Sequence, residues 1–363
     1  MIIFLTIVVF ILILGVLIFA HEFGHFIYAK RAGVKVQEFG FGFPPRIYGK
    51  KHKDTIYSIN AIPLGGFVKI FGEEGEGVGK KDSFVSRSVW QRFKILAAGV
   101  FFNILLAILI LSIYFWMGGP TIVSLPTDYT SSSKVTFDTM VWQTDQDSPA
   151  QKADLEQGDI LVAINGQKVS DFSVVSDIVK KNPNQTINLT ISRQKEDKNL
   201  SILLADKNGQ GFLGVQAIEN YTKAFYPWWK VPYIAVVETA KIIWIIITFL
   251  FMYLKNLFVK AEVPKDLAGP VGIFILTREA VKLGIAEILR FTALLSINLA
   301  IINILPLPAL DGGRILFLII EKVRGKKVTP KIENIVHTIG FAALIVLILL
   351  ITYQDVLRFV LKR

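Results

Sequence analysis

His21-Glu22-Phe23-Gly24-His25 sets two imidazoles four residues apart, with a carboxylate beside the first. On a helix, positions i and i+4 share a face, so both rings reach one ion while Glu22 stays close enough to hydrogen-bond a water on it. This HExxH spacing suits zinc, which accepts imidazole and carboxylate ligands and brings a water to a pKa of about 7, where a neighbouring carboxylate deprotonates it. The chemistry on offer is hydrolysis. A motif this short also arises by chance, but here it follows an almost unbroken apolar run over residues 2–20. Ionisable groups held in lipid are costly unless a partner compensates them, so their position asks for a function.

A catalytic zinc ion takes three protein ligands and keeps one position open. The chain has no cysteine, so the third ligand must be a histidine or a carboxylate. His52 lies in Lys50-Lys51-His52-Lys53 and reads as solvated, and His337 opens a later apolar run and reads as a capping or interfacial group. Asp311 is the better candidate. It sits in NILPLPALDGG (303–313), where Pro306 and Pro308 interrupt an apolar stretch. Backbone groups freed by proline at membrane depth are tolerated only against protein or a wet cavity. The simpler alternative is an Asp-Gly turn paired with Arg314.

These residues must be positioned by membrane helices. The 363 residues are 52% hydrophobic with mean hydropathy +0.51, which excludes an ordinary soluble globule. Residues 2–20 are long enough to cross a hydrocarbon core of ~30 Å and lack the basic start of a cleavable signal peptide, so they read as a retained span. Residues 93–117 form a second span, closed by Gly118-Gly119-Pro120. The loop between them carries Lys30, Arg31, Lys35, Arg46, Lys50, Lys51, Lys53, Lys80 and Lys81, and the positive-inside rule makes it cytoplasmic. The net charge of +11 is scattered near span ends rather than laid out as a stripe, which argues for an anionic lipid surface and against nucleic acid.

Later in the chain, residues 242–254 are apolar for only a dozen positions, so 233–258 reads as a helix in the outer interface. Residues 291–320 read as a third span running into a basic stretch, 321–327, and residues 335–353 as a fourth span returning outward. Both termini then lie outside, although Arg358, Lys362 and Arg363 oppose that placement. The fold expected is a polytopic α-helical membrane protein with about four transmembrane helices, a membrane-associated β-loop and one inserted domain. Its parts divide at 1–120, 121–218, 219–290 and 291–363.

The insert, 121–218, shows shorter apolar runs and period-two alternation such as Ile187-Asn188-Leu189-Thr190-Ile191. Within it SPAQKADLEQGDILVAINGQKV (148–169) reads as a helix begun at Ser148-Pro149, a Gly-Asp turn, a buried strand over 160–164 and an Asn-Gly hairpin. With a second helix over 174–180 and a strand after it, the segment resembles a PDZ domain, an α+β module.

HEFGH at the end of the first span, NILPLPALDGG in a late one and a PDZ-like insert between them resemble the site-2 proteases, most closely the bacterial regulator-of-sigma-E protease (RseP) type, here with a single PDZ. FGFGFPP (39–45), PLGGFVKIFGE (63–73) and LAGPVGI (267–273) resemble that family's GFGP turn, membrane-dipping β-loop and GP segment. The resemblance implies an intramembrane zinc metalloprotease of the cell (inner) membrane that cuts single-span substrates, such as anti-sigma factors or remnant signal peptides. His21, His25 and Asp311 would bind Zn2+, Glu22 would serve as general base and acid, and Asn303 would help hold the substrate strand.

A helical substrate hides its scissile carbonyl in an i to i−4 bond, so cleavage requires unwinding, which lipid opposes unless replacement partners are offered. Residues 55–72 carry strand-like flanks around Pro63-Leu64-Gly65-Gly66, and an edge formed by Gly65, Gly66, Phe67 and Val68 is expected to accept the unwound segment by β-addition. The insert is expected outside the cytoplasm, either binding a free carboxyl terminus or screening substrates by size. Two other readings are a metal or proton transporter, which lacks the repeated halves and paired broken helices expected of one, and an inactive PDZ-bearing adaptor, which the intact Glu22 opposes.

Overall fold

The computed structural model describes residues 2–193, 196–260, 269–326 and 328–360. Two compact units result: Met1–Tyr114 with Val231–Arg363, and Phe115–Lys230. Leu267 and Ala268 of the GP segment, the rest of 261–268, and Lys327, Lys362 and Arg363 lie outside the described residues.

In the first unit, helix α1 (Ile2–Arg31) is largely apolar and free of proline, and nothing in its run stops it before Gly33, whose φ of +69° turns the chain out of the helix. Strand β1 (Val36–His52) follows and folds with β2 (Thr55–Ile70) into a sheet in which each long strand bends on itself. Phe39 lies opposite Val68 on one side and Tyr57 on the other, while His52 faces Thr55 and Gly49 faces Ser58. The segment around Val68 is therefore an edge, and this edge runs along α1.

Helix α2 (Val89–Trp116) returns along α1 at a small-residue contact. A Cβ on Gly24 would sit 2.4 Å from the Ala98 carbonyl oxygen, so only glycine allows this approach. Below it, Ala29, Val36, Ile70, Phe84, Ile95 and Leu96 form a buried cluster that ties the end of α1 to the sheet and to α2.

The insert unit holds β3 (Val135–Thr144), the short helix α3 (Pro149–Lys152), β4 (Ile160–Ile164), β5 (Gln167–Lys168), α4 (Phe172–Lys181), β6 (Thr186–Arg193), β7 (Glu196–Leu203), β8 (Ala205–Lys207), β9 (Gln210–Phe212) and β10 (Val215–Ala224). Its main sheet has the order β10-β3-β4-β6-β7. Ser148 caps α3 by accepting from the Gln151 N–H, and Asn165 and Gly166, at φ +49° and +79°, make the tight turn between β4 and β5. Val141, Leu161, Ile164, Val175, Ile187, Leu189 and Ile191 fill one core between sheet and helices. The element order and this layering are those of a PDZ-like module. The boundary read at 218 falls inside β10, because the alternation of Val215, Ala217 and Tyr221 carries the strand on to Ala224 without a turn residue.

The chain returns to the first unit as α5 (Val231–Lys260), α6 (Pro270–Leu283), α7 (Ile285–Ile304), α8 (Asp311–Arg324) and α9 (Pro330–Asp355). Among the described residues, five helices are long and apolar enough to cross a membrane: α1, α2, Val231–Tyr253 of α5, α7 and Lys331–Arg358. The expectation of about four spans takes 233–258 as interfacial because Glu238 and Lys241 stand just before the apolar run 242–254. The helix continues through both, with Glu238 fully buried, so by length and composition α5 is a fifth candidate span.

Residues 291–320 are not one span either. The helix α7 begins earlier, at Ile285, and stops at Ile304; Pro306 and Pro308 then form a turn that ends where α8 starts at Asp311. Asp355 at the end of α9 is buried and accepts a hydrogen bond from the Gly272 N–H (2.7 Å), placing a carboxylate at the positive end of α6.

Candidate metal centre and active site

Three elements meet around His21 and His25. The helix α1 supplies both imidazoles on its inner face, 8% and 6% exposed. The turn after α7 delivers Asp311 as the first residue of α8. Gly312 and Gly313 make this possible: a Cβ on either would sit 2.1 and 2.3 Å from the carbonyl oxygens of Leu305 and Leu307. The Ala309 N–H donates to His337 Nδ1 (2.9 Å) while Ala309 holds a left-handed φ of +74°, so α9 pins the turn. On α8, Glu321 pairs with Arg92 of α2 (2.6 Å), and Arg314 pairs with Glu73. Arg314 is thus engaged away from Asp311, against the simple Asp-Gly turn reading.

The donor atoms converge. His21 Nε2 lies 3.0 Å and His25 Nε2 3.3 Å from Asp311 Oδ2, and the two Nε2 atoms are 3.2 Å apart. His25 Nδ1 lies 2.8 Å from the Ile95 carbonyl, an acceptor only, so that nitrogen carries the proton and Nε2 presents a lone pair to the cluster. Asp311 Oδ2 is enclosed without a hydrogen-bond partner. Lone pairs and a carboxylate oxygen turned toward one point repel one another unless a cation sits between them. A tetrahedral zinc ion with ligands at ~2.0–2.1 Å separates its donors by about 3.3 Å, close to the spacing found. The two imidazoles and one carboxylate therefore fit such an ion, and this is the group of metal-capable side chains found among the described residues.

Glu22 stands beside the triad and accepts the main-chain N–H of Val68 (3.0 Å). Gly65 and Gly66 are buried at the turn leading into that edge, with Gly65 at φ +108° against Ile18, and Phe67 pairs with Gly40. Asn303, in the last turn of α7, brings its side-chain nitrogen to 3.5 Å from both ring nitrogens of His21. All nine residues singled out in the sequence thus lie at or next to the triad or on the adjoining edge strand. His52 is exposed at the far end of β1.

Two residues were not singled out. Gly99 and Asn103 of α2 lie one turn apart on the face toward the histidines: a Cβ on Gly99 would meet His25 Nε2 at 2.4 Å, and the Asn103 side-chain amide lies 3.3 Å from His21 Nδ1. The one signal for Asn103 is a polar side chain inside an apolar span, which by itself asks only for an interhelical hydrogen bond.

A carboxylate beside a His-His-Asp triad, with the histidines on a helix of membrane length, is the arrangement of a membrane-embedded metallopeptidase. The chain belongs to peptidase family M50, whose model matches residues 9–347, and is an intramembrane zinc metalloprotease of the site-2 type. It is similar to the zinc metalloprotease RasP of Oceanobacillus iheyensis, 30% identical across 97% of this chain and 99% of that protein. It is also similar to the regulator of sigma-W protease RasP of Bacillus subtilis, 29% identical across 97% and 98%. The PDZ domain of an SdrC-like protein from Listeria innocua matches 22% of this chain and 92% of that domain at 23% identity, with a TM-score of 0.21.

Proposed function

We propose that this protein hydrolyses a peptide bond in the transmembrane segment of single-span membrane proteins, with His21, His25 and Asp311 holding one zinc ion. The observation that carries this is the meeting of three donor atoms within 3.0–3.3 Å of one another beside Glu22. Zinc bound there supplies a Lewis acid that polarises the scissile carbonyl and acidifies a water. Glu22 takes a proton from the attacking water and returns it to the amide nitrogen as the C–N bond breaks, acting first as base and then as acid.

The unwound substrate segment lies along the edge at Gly65, Gly66, Phe67 and Val68, whose outward main-chain groups replace the helical hydrogen bonds it gives up. Asn303 donates to a substrate carbonyl near the metal. The substrates are anti-sigma factors or signal-peptide remnants; the name of the Bacillus subtilis relative, a regulator of sigma-W, favours the first. The protein sits in the cell (inner) membrane with the metal toward the cytoplasm and the PDZ-like unit outside, in keeping with the basic residues of the 30–81 loop. In that unit a cavity of about 180 Å³, lined by Phe172, Val175, Val179, Phe212 and Leu213 beside the free edge of β10, suits a carboxyl-terminal peptide.

The test is cellular. Cells carrying Glu22→Gln should accumulate an uncut single-span fragment, identified by mass spectrometry. Equal loss of such fragments with and without the change means that this carboxylate is not the catalytic base.

A further inference from the structure

We propose that Asn103 is a positioning residue for the metal centre: its side-chain carbonyl accepts the Nδ1–H of His21 and holds that ring in the tautomer whose Nε2 can ligate. This rests on the reading of His21 as a zinc ligand. A histidine that ligates through Nε2 must be protonated on Nδ1, and the partner of that N–H fixes both tautomer and ring orientation. His25 has such a partner in the Ile95 carbonyl, 2.8 Å away. At His21 the nearer side-chain group to Nδ1 is the Asn103 amide at 3.3 Å, with the Asn303 amide at 3.5 Å.

Asn103 is fully buried, and its side-chain oxygen is enclosed without a partner when the amide nitrogen faces His21. A half-turn of the amide exchanges the two atoms with almost no change of shape. It places the oxygen against Nδ1–H, the acceptor that an Nε2-ligating His21 requires, and moves the amide nitrogen into the space the oxygen leaves. The Asn303 amide lies farther off, 3.5 Å from both ring nitrogens of His21, and its side-chain oxygen, unlike that of Asn103, is not left enclosed and unpaired.

The backbone around Asn103 is fixed as well. Ser296 of α7, fully buried, donates to the Asn103 main-chain carbonyl (2.8 Å), tying α2 to the helix that leads into the Asp311 turn. Ile95, Gly99 and Asn103, at i, i+4 and i+8, thus form one stripe on α2. Its ends orient the two imidazoles, and its bare centre leaves room for their Nε2 atoms.

Zinc affinity of the full chain in detergent, measured by chelator competition, tests the assignment. Asn103→Leu removes the acceptor and should weaken zinc about 10- to 100-fold, while Asn103→Asp, which accepts but cannot donate, should stay within about threefold of the parent on the same scale. Leucine binding zinc as tightly as the parent, or aspartate weakened as much as leucine, overturns the proposal. The parent alone gives a second readout: in metal-stripped protein, 15N-histidine spectra should place the His21 proton on Nδ1, and a proton on Nε2 is contrary. His21→Ala separates the two levels. If it loses zinc and Asn103→Leu does not, only this inference fails; if it keeps zinc, the metal site itself fails and this inference with it.

Discussion

The main-chain N–H of Val68 donates to the Glu22 carboxylate over 3.0 Å, across 46 residues of sequence. An edge strand and the proposed catalytic base are therefore in direct contact. A substrate strand added to this edge, as proposed, would pass within hydrogen-bond reach of Glu22 and compete with it for the Val68 N–H. Val68→Pro removes that N–H and the pairing capacity of the edge. Cleavage of a reconstituted single-span substrate should fall on the order of 10- to 100-fold, as expected for misplacement of the reacting segment, with zinc content unchanged. Normal turnover in the proline variant would remove the edge from the mechanism.

Gly99 faces the metal centre with no side chain because none fits. A methyl there would sit 2.4 Å from His25 Nε2 and 2.6 Å from His21 Cε1. Gly99→Ala should reduce bound zinc to well under half of one ion per chain by elemental analysis, while leaving the helical circular dichroism unchanged. Full zinc occupancy would mean that α2 does not close on the histidines as described.

Much of this site was legible in the sequence because its ligands are chemically expensive where they stand. The HEFGH motif at the end of an apolar run and a carboxylate after two prolines both demand compensation, and each pointed to the other. Asn103 was passed over because an amide is cheaper to bury than a charge and belongs to no ligand-spacing pattern. The full length of α5 was hidden for the opposite reason: Glu238 bounds an apolar run in the sequence, but burial is set by the face on which a residue falls, and this one faces inward. Pro306 and Pro308 announced a break in a span without revealing that the chain would turn and start a new helix at Asp311, which depends on the contact from His337 of α9.

The turn that presents Asp311 depends on two close approaches. Gly312→Ala would drive a methyl to 2.1 Å from the Leu305 carbonyl oxygen and so displace the carboxylate beside it. Zinc affinity should drop at least about tenfold, the scale of disturbed ligand orientation. The substitution Gly15→Ala on α1, where a Cβ makes only ordinary contact with the Phe41 ring at 3.5 Å, serves as a comparison. Equal affinities for the two variants would show that the turn does not set the ligand.

The groove of the PDZ-like unit carries its own test. Peptides ending in an apolar residue should bind the full-length protein in detergent, and amidation of the terminal carboxylate should weaken binding at least about tenfold, the worth of a charge-assisted contact. Equal binding of acid and amide would discard terminus recognition in favour of a size filter.

The metal triad is tested most directly by zinc stoichiometry across five proteins: the parent, His21→Ala, His25→Ala, Asp311→Ala and Glu22→Gln. One zinc per chain is expected in the parent and in Glu22→Gln, with cleavage by the latter lowered about 10²- to 10⁴-fold, and little or none in the other three. Full zinc in Asp311→Ala, or its loss together with proteolysis unchanged, would contradict the assignment of a shared catalytic ion.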